Sequence, residues 1–240
     1  MGTRGDILGL SLIGRAQYSR LMNVLAIDTS TSACSAALLR DGHVVARRLT
    51  VMARGQSEAL MPMIKAVLDE SGLAVSGLDL LAVTVGPGAF TGLRIGLAAA
   101  RGFALAAGLP LAGVPTSLAV AAAIPEAERE GKTIAVVLES RRADPWIQLF
   151  DADLTPLGAV AAHQPEAIAA QLTGPVLVAG DAGARLLAVL PGAVAASSPG
   201  WPDAACVARV GEDLWRTGRA LSAEPLYLRA PDVTLPGQKR

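Results

Sequence analysis

Residues 83–96, Val83-Thr84-Val85-Gly86-Pro87-Gly88-Ala89-Phe90-Thr91-Gly92-Leu93-Arg94-Ile95-Gly96, decide how the rest of the chain is read. Leu80, Leu81, Val83 and Val85 form a short apolar run with β-branched members, as a strand covered on both faces requires. The run breaks at Gly86-Pro87-Gly88, where glycine opens backbone angles closed to other residues and proline fixes its own φ. Thr91 is placed as the N-cap of a helix whose first N–H groups face back on the loop. That geometry suits an anion, or it simply turns the chain tightly. Along the helix, Gly92, Gly96, Ala99 and Phe103 fall on one face. A glycine inside a helix costs roughly 0.5–1 kcal/mol relative to alanine, so the bare face predicts that something packs very close to it.

With 240 residues the chain can form one large domain or two small ones around a sizeable core. Half of it is hydrophobic (52%) and only 3% is aromatic, which predicts closely packed helices and strands rich in small side chains. The 21 basic and 21 acidic residues cancel, and no basic run tracks a nucleic acid, so contact with RNA is expected only through partners. Two cysteines, Cys34 and Cys206, cannot make a disulfide framework and predict a reduced, cytoplasmic protein. No stretch reaches the ~20 apolar residues of a membrane span. Residues 1–21 carry no convincing leader or cleavage pattern, while a strand opens directly after Met22. They are expected to be a disordered or mis-assigned extension.

From Met22 onward, strands and helices alternate. Strands are expected at 24–28, 34–40 and 43–51, the last two joined by an Asp41-Gly42 hairpin turn. A helix over 57–71 carries Leu60, Ile64, Val67 and Leu68 on one face, with Gly72 at its end. A strand at 80–85, the glycine-faced helix 91–107, a strand at 111–114 and a short helix after Thr116-Ser117 follow. The polar stretch 125–132 marks a boundary. Beyond it, strands at 133–139, 146–151 and 157–162, a helix at 166–172, a strand at 176–179 and helices at 182–190 and 203–217 repeat the first topology. A duplicated unit of three strands and a helix is the hallmark of the two-lobed α/β folds of actin, Hsp70 and the sugar kinases, with ribonuclease H-like lobes. The expected lobes are 22–127 and a smaller 132–240 with a C-terminal tail.

Four ordered motifs carry a closer resemblance. Leu25-Ala26-Ile27-Asp28-Thr29-Ser30-Thr31 with Ala33-Cys34-Ser35 is similar to the opening of the bacterial TsaB family. So are residues 86–96, Gly113-Val114-Pro115-Thr116-Ser117 and Glu224-Pro225-Leu226-Tyr227-Leu228-Arg229. The resemblance implies a dimerisation subunit of the complex that installs threonylcarbamoyl on a tRNA adenosine. It also implies a catalytic paralogue of the same fold (TsaD) and an ATPase partner (TsaE), which hold the ATP and metal. The paralogue's metal-binding His-x-x-x-His has no equivalent at Arg54-Gly55-Gln56-Ser57-Glu58-Ala59-Leu60, so no cofactor, metal or catalytic residue is expected in this chain. His43 and His163, the only histidines, are expected at strands or strand ends. The segment Glu139-Ser140-Arg141-Arg142-Ala143-Asp144-Pro145-Trp146 departs from the family pattern.

Two readings stand for the glycine face. The chain's own sheet could pack against it, or a sister molecule could, in a pseudo-twofold heterodimer with homodimers when alone. The resemblance favours the second and implies an interface of Leu60, Ile64, Thr91, Gly92, Arg94, Ile95, Gly96, Ala99 and Phe103. Asp28, Thr29, Ser30, Gly86 and Gly88 form a candidate nucleotide-facing loop. In kinases of this fold, an acid ending the first strand organises magnesium. Asp28 could equally be a turn residue accepting backbone N–H groups. The Gly-x-Gly-x-x-x-Gly spacing of residues 86–92 matches neither the dinucleotide fingerprint nor the P-loop. An ATP-dependent small-molecule kinase and a degenerate glycoprotease remain the alternatives to a non-catalytic scaffold.

Overall fold

The computed structural model describes residues 22–228. The extension expected over 1–21 and the end of the last motif, Arg229, lie outside the described residues. Strand β1 (Asn23–Asp28) pairs antiparallel with β2 (Ala33–Arg40), which pairs antiparallel with β3 (His43–Val51). Helix α1 (Gln56–Ser71) leads to β4 (Leu80–Gly86), and α2 (Phe90–Ala107) leads to β5 (Leu111–Pro115), giving the order β3-β2-β1-β4-β5. The two crossovers lay β4 parallel to β1 and β5 parallel to β4.

Period-two alternation along β1 decides what covers each face. Leu25 and Ile27 meet Leu60, Ile64 and Val67 of α1 and Leu97 and Ala100 of α2. Val24 and Ala26 face the other way. Each fully buried Leu or Ile contributes about 1.5–3 kcal/mol to burial.

Two short helices, α3 (Thr116–Ala122) and α4 (Glu126–Arg129), carry the chain to the second sheet. There β6 (Thr133–Leu138), β7 (Trp146–Phe150) and β8 (Ala161–Ala162) form the antiparallel part. After α5 (Pro165–Ala169), β9 (Val176–Ala179) returns parallel to β6, and after α6 (Gly183–Leu187), β10 (Val194–Ala195) lies parallel to β9. The order β10-β9-β6-β7-β8 repeats the first sheet strand for strand. The duplicated two-lobed α/β fold expected from the sequence is therefore present.

Three expectations are corrected. The strand expected over 157–162 shrinks to β8, because the Asp151 carboxylate accepts the N–H groups of Asp153 and Thr155 and turns the chain early. Helix α2 begins at Phe90 with Ala89 as N-cap and no capping side chain, so Thr91 sits in its first turn instead. The boundary of the second lobe also changes. Helix α7 (Ala204–Arg216) packs Ala204, Ala205, Val207 and Ala208 on Val24, Ala26, Leu80 and Ala82 of the first sheet. Its N-cap Asp203 accepts the N–H of Ala205 and pairs with Arg47 of β3 at 2.6 Å. The chain beyond it stays with the first lobe: Leu221 pairs with Gly113, and the Leu226 N–H donates to the Val85 carbonyl at 2.7 Å. Residues 203–228 thus belong with the first lobe, because its sheet exposes a second apolar face that only α7 covers.

Candidate functional site: the cleft between the lobes

The site grows from the C-terminal ends of β1 and β4. Asp28 ends β1 with no exposed surface. Its Oδ1 accepts the Ser30 N–H at 3.1 Å, the Ser30 hydroxyl at 2.6 Å and the Thr84 hydroxyl at 2.6 Å. Burial outweighs these donors and pushes the carboxyl up to about 6. The turn-residue reading of Asp28 is thus met by the geometry: its oxygen holds the loop that follows it.

The loop is then fastened to the turn after β4. Ala89 N–H donates to the Ser30 carbonyl at 2.7 Å, and the Thr29 hydroxyl donates to the Gly92 carbonyl at 2.7 Å. A Cβ added at Gly88 would press on the Ser30 carbonyl, and one at Gly92 would fall inside the Thr29 carbonyl oxygen. A Cβ at Gly96 would stand 2.5 Å from Thr29 Oγ1. The close approach that the bare face predicts is therefore intramolecular. Gly92 and Gly96 are covered by the chain's own β1–β2 turn, and Leu60 and Ile64 are buried under the first sheet. These four cannot be surface contacts of the folded chain, which corrects their place in the expected interface. Thr91 and Arg94 are exposed, whereas Ile95, Ala99 and Phe103 are half-buried against the core.

A cleft of about 480 Å³ opens in front of this corner. One wall comes from residues 30–32 and 87–90, the facing wall from residues 138–142 and Asp181, and a third from residues 226–228. Of the expected loop, Ser30 and Gly88 reach the cleft, while Asp28, Thr29 and Gly86 lie behind it. Gly86, at φ 116°, packs against Leu93 and Leu226. On the rim, the Arg94 guanidinium stacks 3.7 Å above the Phe90 ring, and its Nε donates to the Tyr227 hydroxyl at 3.0 Å. The Phe90 and Tyr227 rings lie 5.6 Å apart. Such stacks contribute about 0.5–1 kcal/mol when exposed.

The second lobe repeats the corner in altered form. Gly180, at φ 104°, follows β9 and lies hard against the Val137 backbone, as Gly88 lies against Ser30. Asp181 accepts the Glu139 N–H at 2.9 Å, and burial raises its carboxyl. The Glu139 carboxylate in turn accepts the N–H of Arg141, whose φ of 60° is unusual for a side-chain-bearing residue. Sequence reasoning left Asp181, Trp146 and Tyr227 out of the site. The internal repeat was the available signal for Asp181, which follows β9 as the Gly86 turn follows β4.

Among the described residues, no group of three or more His, Cys, Asp or Glu could hold a metal ion. Gln56, in the first turn of α1, donates to the Met52 carbonyl. His43 sits exposed at the start of β3, and the His163 N–H, just past β8, donates to the Pro145 carbonyl. Burial pushes the Cys34 thiol up to about 11, which leaves it inert. None of the described helices is long and apolar enough to cross a membrane.

Comparison with known proteins was made on this chain and its fold. The TsaD family model, tRNA N6-adenosine threonylcarbamoyltransferase, matches residues 50–144. The tRNA threonylcarbamoyladenosine biosynthesis protein TsaB of Escherichia coli is 44% identical over 100 residues, which is 42% of this chain and 43% of that protein. The match thus spans less than half of that relative. Uncharacterized protein Mb3455c of Mycobacterium bovis is 37% identical over 217 residues, 89% of this chain and 95% of its own. The solved structure of YeaZ from Pseudomonas aeruginosa superposes with a TM-score of 0.75 at 30% identity, covering 86% of this chain and all of that one. With the four motifs in order and this fold around them, the chain belongs to the TsaB family.

Proposed function

We propose that this protein is a non-catalytic dimerisation and activating subunit in the synthesis of tRNA threonylcarbamoyladenosine. It scaffolds a TsaD-like catalytic paralogue and works beside a TsaE-like ATPase, with ATP and metal held by those partners. The observation that carries the proposal is the state of Asp28. In a catalyst of this fold the corresponding carboxylate serves a bound group. Here its Oδ1 takes three donors from the chain itself and the residue has no exposed surface. Family membership supports the pathway.

The surface left for pairing is the outer side of α1 and α2. Thr91, Arg94 and Ala98 are exposed along α2, and Met61 on α1 is 50% exposed. Capture of the paralogue tests the proposal, with Met61→Arg/Ala98→Arg compared against wild type. Pairing should weaken at least tenfold while the circular dichroism and melting of the isolated chain stay unchanged. Undiminished pairing would remove this surface from the proposal, and threonylcarbamoyl transfer by the isolated chain would remove the scaffold role.

A further inference from the structure

The cleft gathers residues that the rest of the chain lacks. Only eight residues are aromatic (three Trp, two Tyr, three Phe), yet Phe90, Trp146 and Tyr227 all line this cleft. Phe90 and Tyr227 are each 51% exposed, an unfavourable placement for large rings unless a ligand covers them. Three arginines join them: Arg94 from the first lobe, Arg141 and Arg142 from the second. Both acids of the cleft are turned to the backbone of their own lobe. Asp181 accepts the Glu139 N–H, and Glu139 accepts the Arg141 N–H. The latter bond holds Arg141 in the left-handed backbone conformation, a local strain of the kind that clusters at binding sites. Hydroxyls of residues 30–32 form the floor.

Flat rings interleaved with guanidinium groups are how proteins hold unpaired nucleotides: bases stack on the rings while the cations follow the phosphates. A free nucleoside triphosphate suits the cleft less well. The floor loop is spent on Asp28 and on α2, and the rings stand at the open rim, where a ligand must continue into solvent. We propose that the cleft mouth holds an unpaired nucleotide of an RNA strand, its base against Phe90, Trp146 and Tyr227 and its phosphates facing Arg141 and Arg142. This rests on the function proposed above and adds a direct RNA contact to a subunit whose sequence carries no basic run.

The test is fluorescence polarisation of a labelled tRNA anticodon stem-loop, titrated with the full chain alone and with its paralogue. Wild type is compared with Arg141→Ala/Arg142→Ala and with Tyr227→Ala. Each variant should weaken binding about tenfold, and the arginine pair should lower the slope of log affinity against log salt by roughly 1. Both variants should retain wild-type circular dichroism and capture the paralogue normally. Affinity unchanged in both variants, or no binding by wild type, overturns the RNA contact. Binding of magnesium-ATP that these variants abolish while RNA binding persists would assign the cleft to a free nucleotide and also overturn it. Normal paralogue capture in those cases leaves the scaffold role standing, whereas failed capture with intact RNA binding would strike the scaffold role alone.

Discussion

In the first lobe, helices of 16 and 18 residues cover one sheet face and α7 covers the other. The second lobe uses the same strand order with much less material. Five-residue helices α5 and α6 cover one face of its sheet. On the other face, Val120 and Ala121 of α3 pack with Ile134 and Val136. Its edge strands β8 and β10 have two residues each. The difference extends to the corners that face the cleft. Asp28, ending β1, is buried and satisfied by its own loop, while Glu139, just past β6, is exposed and supports the Arg141 backbone. The duplicated framework has thus been divided between two tasks: the first lobe supplies a rigid platform, and the second presents a variable loop across the cleft.

The sharpest test of this comparison lies in the two tight glycine corners. Gly92→Ala in the first lobe and Gly180→Ala in the second each drive a Cβ into backbone, and Gly180 also leaves its favoured φ. Each should cost about 3 kcal/mol in chemical denaturation, at the upper end for overpacking. A cost below about 1 kcal/mol at either site would show that its corner can relax.

Asp28 gives a pH signature of nearly the same size. Its carboxyl is raised from 3.8 to about 6, so the protonated form favours the folded state. That stabilisation is complete below the unfolded value and is lost as pH rises through about 6, a span of about 3 kcal/mol for a fully buried group. Wild type minus Asp28→Asn should therefore show unfolding free energy falling between pH 4 and 6. A flat difference would mean that the loop opens to solvate the carboxylate.

A smaller effect probes the return of α7 to the first lobe. Asp203→Ala removes both the N-cap and the 2.6 Å pairing with Arg47, and should cost about 1–2 kcal/mol. Amides of β1 should lose hydrogen-exchange protection along with those of α7. Loss confined to the second lobe would contradict the packing described here.

Much of this fold was legible in residue order. Alternation at Leu25 and Ile27 against Val24 and Ala26 announced a strand buried on both faces. Asp41-Gly42 marked the hairpin, and the repeated strand pattern announced the duplication. The candidate site was legible only in part. Ser30 and Gly88 reach the cleft, but Tyr227 and Trp146 arrive there from elements distant in sequence. No local period records such a meeting.

The amino-acid order by itself determined which stretches become strands and helices, because burial of a period-two or period-3.6 face is a local property of the pattern. The order also required that something sit close to Gly92 and Gly96, since a bare helical face is otherwise unfavourable. What that something was, only the tertiary structure decided. The Thr29 carbonyl and hydroxyl occupy the space because the β1–β2 turn is carried there by a parallel crossover between distant strands. Return of α7 to the first lobe was decided the same way: an amphipathic helix carries no mark of which sheet it will cover, and the choice falls to whichever apolar face remains open.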